Sequence, residues 1–118
     1  MMAWVRLDDG FFGHPKAQAI GQRGRELYLS ALCWSSQNLT DGHVPATAWR
    51  RIGADAGVKP GSVRSLVGTL VGAGLLHENG DGWVIHDFLD YNRSRSAVLA
   101  EREAARKRQA RHRHEQER

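Results

Sequence analysis

The 118-residue chain has one cysteine, three prolines and no apolar run near the roughly 18 residues of a membrane span. A lone cysteine, Cys33, excludes an internal disulfide, and without a CxxC pair the sequence suits a reducing compartment. Cys33 is expected as a small buried hydrophobe on an apolar helix face. The first residues, MMAWVRLDDGFF, lack the basic start and apolar stretch of a signal peptide. A cytoplasmic protein that stays where it is made, with no membrane partner, is the expectation.

Catalytic and metal-binding patterns are missing too. There is no HExxH and no Cys/His ligand set, and His112 and His114 lie two apart, a spacing that does not share a helix face. Neither the phosphate-binding GxxxxGK[ST] nor a nucleophile elbow occurs. His86-Asp87 invites an acid–base reading, but neighbouring strand residues point to opposite faces, and Asp8-Asp9 reads as a turn. No catalytic residue, metal or cofactor is expected, and the enzyme class is set aside.

Positive charge is present but unevenly placed. Residues 1–92 hold 8 Lys/Arg against 9 Asp/Glu, whereas residues 93–118 hold 9 against 4. The high isoelectric point, about 9.8, therefore belongs to the tail and not to the body. The natural division is a folded domain over 1–92 and a basic helix over 93–118. That tail, from Ser94 onward, is rich in alanine and arginine and holds neither glycine nor proline.

Within the body, His14-Pro15-Lys16 opens a short helix that Gly21 to Gly24 interrupts. A mostly buried helix follows from Arg25 to about Gln37, and Asn38 to Gly42 breaks it. His43-Val44-Pro45 supplies only a very short strand, and Ala46 to about Ala54 reads as a second helix. After the tight connection Gly57-Val58-Lys59-Pro60, Val63, Leu66, Val67, Leu70 and Val71 recur at helical spacing up to Ala73, and Gly74 is the stop. Leu75 to Glu78 and Trp83 to His86 flank Asn79-Gly80-Asp81-Gly82, a hairpin signal. The expected core holds Leu27, Leu32, Trp49, Ile52, Val63, Leu66, Leu70, Leu76, Val84 and Ile85.

Helix, short strand, helix, tight turn, helix, hairpin is the order of a winged helix-turn-helix. The stretch ADAGVKPGSVRSLVGTLVGAGLLHENGDGWVIHDF, residues 54–88, resembles the core of many bacterial proteins of that fold. WVRLDDGFFGHPK at 4–16, LSALCWSSQNLTDGHVP at 29–45, LVGAGLL at 70–76 and WVIHDFLDYNRSR at 83–95 extend the likeness over nearly the whole chain. In that order these blocks resemble helix-turn-helix or replication-initiation-like proteins of actinobacteria and their phages. Those proteins are related to the N-terminal domain of phage replisome organisers and DnaD-type initiators. Many of them continue into a linker and a second domain, whereas this sequence ends at Arg118, so helicase loading is not carried over.

The resemblance implies a mainly α fold with a small hairpin wing and a long basic C-terminal helix. It makes Ser62–Ala73 the recognition helix, with a face small enough to enter a DNA major groove about 12 Å wide. Arg64 is its long donor, Ser62, Ser65 and Thr69 reach phosphates or base edges, and Lys59 sits just before the positive end of the helix. Arg50 and Arg51 flank it. The tail residues Arg93, Arg95, Arg102, Arg106, Lys107, Arg108, Arg111 and Arg113 form a cationic rod that clamps phosphates in a salt-dependent way. The expected function is double-stranded DNA binding of phage or prophage type, in replication initiation or its regulation.

A transcriptional regulator is a subcase of that function. A different class is a protein-interaction module that binds a replisome or host protein, since Glu78 and Asp81 put carboxylates on the wing, where phosphate would be repelled. A homodimer through the C-terminal helix is a further expected partner. DNA as the ligand requires Arg50, Arg51, Lys59, Arg64 and the tail on one continuous surface. A protein ligand requires the Ser62/Ser65/Gly68/Thr69/Gly72 face to be covered by another chain or by the tail.

Overall fold

The computed structural model describes residues 4–88, 92 and 94–117. Their order is α1 (Pro15–Asn38), β1 (His43–Pro45), a 3-10 turn (Ala46–Ala48), α2 (Trp49–Asp55), α3 (Pro60–Gly72), β2 (Leu76–Asn79), β3 (Gly82–Ile85) and α4 (Arg95–Gln116). The chain is mainly helical, with one small antiparallel sheet in the order β1-β3-β2. No helix among the described residues is long and apolar enough to cross a membrane.

α1 opens at Pro15, a residue tolerated in a first turn, and the His14 Nδ1 accepts the Lys16 amide at 3.1 Å. The helix breaks at Gly21, whose φ of 72° and ψ of 178° suit only a residue without a Cβ. The interruption is thus one residue and not the four from 21 to 24. Gly24 is back in the helix, where a methyl group would stand 2.9 Å from Ile20 Cβ. Beyond the break, Leu27, Ala31, Leu32 and Ser35 are buried. Cys33, expected in the core, is exposed, because one residue advances about 100° around a helix and Leu32 already sits at the edge of the stripe.

The end of α1 is locked by a buried hydroxyl. Ser35 Oγ accepts the Gly42 amide at 2.8 Å and lies 2.6 Å from Thr40 Oγ1, so the polar group is satisfied. The lock turns the chain into β1. α2 and α3 follow at once, and both turn their apolar stripes inward, Trp49 and Ile52 from α2 and Val63, Val67 and Leu70 from α3. Gly74, with φ 79°, ends α3 as expected, and the Leu75 amide reaches back to the Leu70 carbonyl at 3.0 Å.

The sheet closes the core from the other side. Leu76 pairs with Ile85, and both are buried with Val44 of β1. Of the expected core, Leu27, Leu32, Trp49, Ile52, Val63, Leu70, Leu76 and Ile85 are buried. Two are corrected. Leu66 is only half-buried, packed at the rim of the core. Val84 is half-buried because strand alternation inward at Ile85 turns Val84 to the outer face, in line with His43 and His77.

α4 starts where the sequence places it. Ser94 Oγ accepts the Ala97 amide at 3.1 Å, the usual cap of a helix whose first amides lack partners. The Arg95 amide donates to Asp41 Oδ1 at 2.5 Å, tying the start of the helix to the loop before β1. Val98, Glu101 and Ala105 are half-buried, and every residue from Arg106 to Glu117 is exposed. The molecule is elongated, 61 × 30 × 26 Å.

Candidate nucleic-acid interface

The outer face of α3 is open. Arg64, Ser65, Gly68, Thr69 and Gly72 are exposed, and a methyl group on Gly61, Gly68 or Gly72 would meet no atom within 4 Å. Neither the tail nor any other described segment covers that face. Ser62 is half-buried, and its amide reaches the Lys59 carbonyl at 2.9 Å. Thr69 is less available than the sequence suggests, since its hydroxyl donates to the Ser65 carbonyl at 3.2 Å within the helix.

The basic residues near α3 separate into two kinds. Arg50, Lys59 and Arg64 are exposed and form no ion pair among the described residues. Arg51 is engaged, its Nε 3.2 Å from the Asp55 carboxylate one turn on. That pairing was readable in advance, since Arg51 and Asp55 stand at the i,i+4 spacing.

Arg50 and Arg64 also line a groove of about 800 Å³ that the sequence reading missed. Its walls are α2, α3 and the hairpin, and it is lined by Trp49, Val67, Val71, Glu78 and Trp83. Register explains it. Trp83 and Glu78 are direct partners on adjacent strands, on the same sheet face as Leu76 and Ile85 but beyond the end of the core. Trp83 is half-buried and meets buried Trp49 edge to face, with ring centroids 6.0 Å apart and planes at 80°. The Trp49 Nε1 is buried without a hydrogen-bond partner. A β-strand alternation starting inward at Ile85 would have put Trp83 on the inner face, but its meeting with Trp49 needs the tertiary fold.

The tail arginines form a separate set. Arg95, Arg102, Arg106, Lys107, Arg108, Arg111 and Arg113 are exposed on α4, and Arg93 lies outside the described residues. Arg106 pairs with Glu103, three residues before it on the helix. A second groove, about 890 Å³, runs between the end of α1 and α4, with Trp4, Leu39, Phe88, Val98, Leu99 and Arg102 among its lining. It shares no residue with the groove at α3, so the two basic sets do not meet in one cleft.

His86 and Asp87, expected to point apart, are in contact, with His86 Nε2 3.0 Å from Asp87 Oδ2. They follow the end of β3, and Asp87 adopts a left-handed φ of 57°, so strand alternation no longer applies. On its other nitrogen His86 lies 2.7 Å from His77 Nε2. Because His86 uses both ring nitrogens in different directions, the three groups make a chain and not a cage. Among the described residues no group of three His, Cys, Asp or Glu is placed to hold a metal ion.

No family model matches the chain, and no curated protein or solved structure is significantly similar to it.

Proposed function

We propose that the chain is a DNA-binding winged helix-turn-helix protein of phage or prophage type, acting in replication initiation or its regulation. In this reading α2 and α3 form the turn motif, β2 and β3 are the wing, and α3 enters the major groove of a duplex. The observation that carries it is the open, uncharged outer face of α3, with exposed Arg64, unpaired among the described residues, at its edge and Lys59 beside its N-terminus. Small side chains let the helix backbone approach base edges, and the positive N-terminal end of the helix favours phosphate. The basic α4 does not meet these residues in one cleft, so the continuous basic surface expected for a DNA ligand is no part of the support, and α4 adds sequence-independent affinity from a second location. A repressor or other transcriptional regulator uses the same contacts.

A second reading, a module that binds a replisome or host protein, is favoured by one observation. Glu78 stands on the hairpin wall with no cation paired to it among the described residues, where a phosphate would be repelled. Titrating a random-sequence duplex over a salt series separates the readings. DNA binding gives an affinity that falls as a power of salt, with a slope of about 0.9 per phosphate contact. Replacing Arg102, Arg106, Lys107, Arg108, Arg111 and Arg113 by glutamine lowers that slope without abolishing binding if α3 is a contact. Absence of duplex binding at low salt sinks the DNA reading.

A further inference from the structure

The face of α3 that a duplex would meet and the groove beside it share only Arg64 and Gly68. Ser65, Thr69 and Gly72 do not line the groove, whereas Arg64, Val67, Gly68 and Val71 do. The groove is a cleft with apolar walls, and its volume of about 800 Å³ is within the usual range of small-ligand sites. A duplex is too broad to enter such a cleft, and an isolated phosphate gains nothing from Trp83, Val67 and Val71. The occupant that fits has flat apolar faces, a polar edge and a negative charge a few ångströms away. An unpaired nucleotide has all three.

We infer that this groove holds an unpaired DNA base, so that the chain engages single-stranded DNA through Trp83, Arg50, Arg64 and Glu78. The inference rests on the DNA-binding reading and narrows its substrate. Trp83 and Trp49 are perpendicular, so each indole keeps a face that the other does not cover, and half-buried Trp83 offers the stacking surface. Arg50 and Arg64, on the helical wall with no ion-pair partner among the described residues, take the flanking phosphates. Glu78 then has a role that phosphate repulsion alone does not give it. As the cross-strand partner of Trp83 and a lining residue of the same groove, it is the carboxylate within reach of whatever stacks there.

A carboxylate is an acceptor only, so it selects bases by their donors. Cytosine, adenine and guanine present amino hydrogens to it. Thymine presents a single imino hydrogen between two carbonyl oxygens, which the carboxylate repels. The groove therefore discriminates against thymine, a preference that pure stacking lacks.

Fluorescence anisotropy with labelled oligo(dC) and oligo(dT) of equal length, beside a random duplex, tests this on the full chain at neutral pH. Oligo(dC) is expected to bind at least about fivefold more tightly than oligo(dT). E78Q brings the two within about twofold of each other, because an amide both donates and accepts. W83L weakens both single strands by about tenfold and leaves the duplex affinity in place. Glu78 is exposed, so E78Q keeps the test sharp even where W83L perturbs the fold. Equal binding of oligo(dC) and oligo(dT) by the unaltered protein, with duplex binding intact, overturns the inference alone. Failure of every oligonucleotide, duplex included, overturns the DNA reading as well and leaves the groove to a protein segment.

Discussion

Gly53 of α2 faces Val63 of α3 so closely that a methyl group on the glycine would stand 2.5 Å from Val63 Cγ2. The two helices meet where there is room for a hydrogen and not for a carbon. Helix propensity alone would favour Gly53→Ala by about 1 kcal/mol. Overpacking costs about 1–3 kcal/mol and outweighs it, so a net loss of up to about 2 kcal/mol is expected in urea unfolding. A midpoint that rises instead would mean that α2 and α3 stand farther apart than this contact requires.

Ser35→Ala removes the one buried hydroxyl that organises the end of α1. The Gly42 amide and the Thr40 hydroxyl lose their partner in a place that water does not reach easily. The expected cost is about 1–3 kcal/mol, the range for a buried donor left unsatisfied. A change inside about 0.5 kcal/mol, typical of surface substitutions, would show that the loop has another way to satisfy its amides.

Arg64 and Arg51 should behave differently although both are exposed arginines near α3. Arg64→Ala is expected to lower duplex affinity at every sequence tested and to reduce the salt slope by about 1. Arg51→Ala removes a guanidinium already held by Asp55, so the slope should stay within its error. Equal losses for the two variants would contradict the assignment of Arg64 as a phosphate contact.

Cys33 is exposed in the folded chain, which makes its thiol countable. An Ellman titration without denaturant should give one reactive thiol per chain at the rate of an accessible cysteine. Reaction seen only after unfolding would return Cys33 to the core.

Ser94→Ala takes away the oxygen that caps α4. Loss of such a cap costs about 0.5–2 kcal/mol. Because residues 106–117 are wholly exposed, little packing compensates. Far-UV ellipticity should fall, while the unfolding midpoint of the body stays in place. An unchanged spectrum would mean that the Arg95–Asp41 contact holds the helix start by itself.

Much of the fold was legible because it depends on local signals. The apolar spacing of α3, Gly74 at its end, the Asn-Gly-Asp-Gly turn and Ser94 before an unbroken helix each specify structure within a few residues. What was not legible depends on pairs far apart in the chain. Strand register sets Glu78 beside Trp83, and the packing of α2 under the sheet brings Trp49 to them. Cys33 was misplaced because an apolar helix with a wide buried stripe gives few clues to its edges. His86-Asp87 was misread because strand rules were carried one residue past the strand.

Geometry gives α4 a further consequence. Its 22 residues rise about 33 Å, close to the roughly 34 Å of one turn of B-form DNA. The near end is moored at Asp41, and the last twelve residues before Arg118 touch solvent on every side. The helix is therefore an arm held along its first half and free of the body beyond it. A swing of about 10° at the mooring carries its tip about 6 Å, roughly the width of a minor groove. One carboxylate in the loop before β1 thus holds the first residue of a helix that carries seven positive charges, six of them beyond the point of contact.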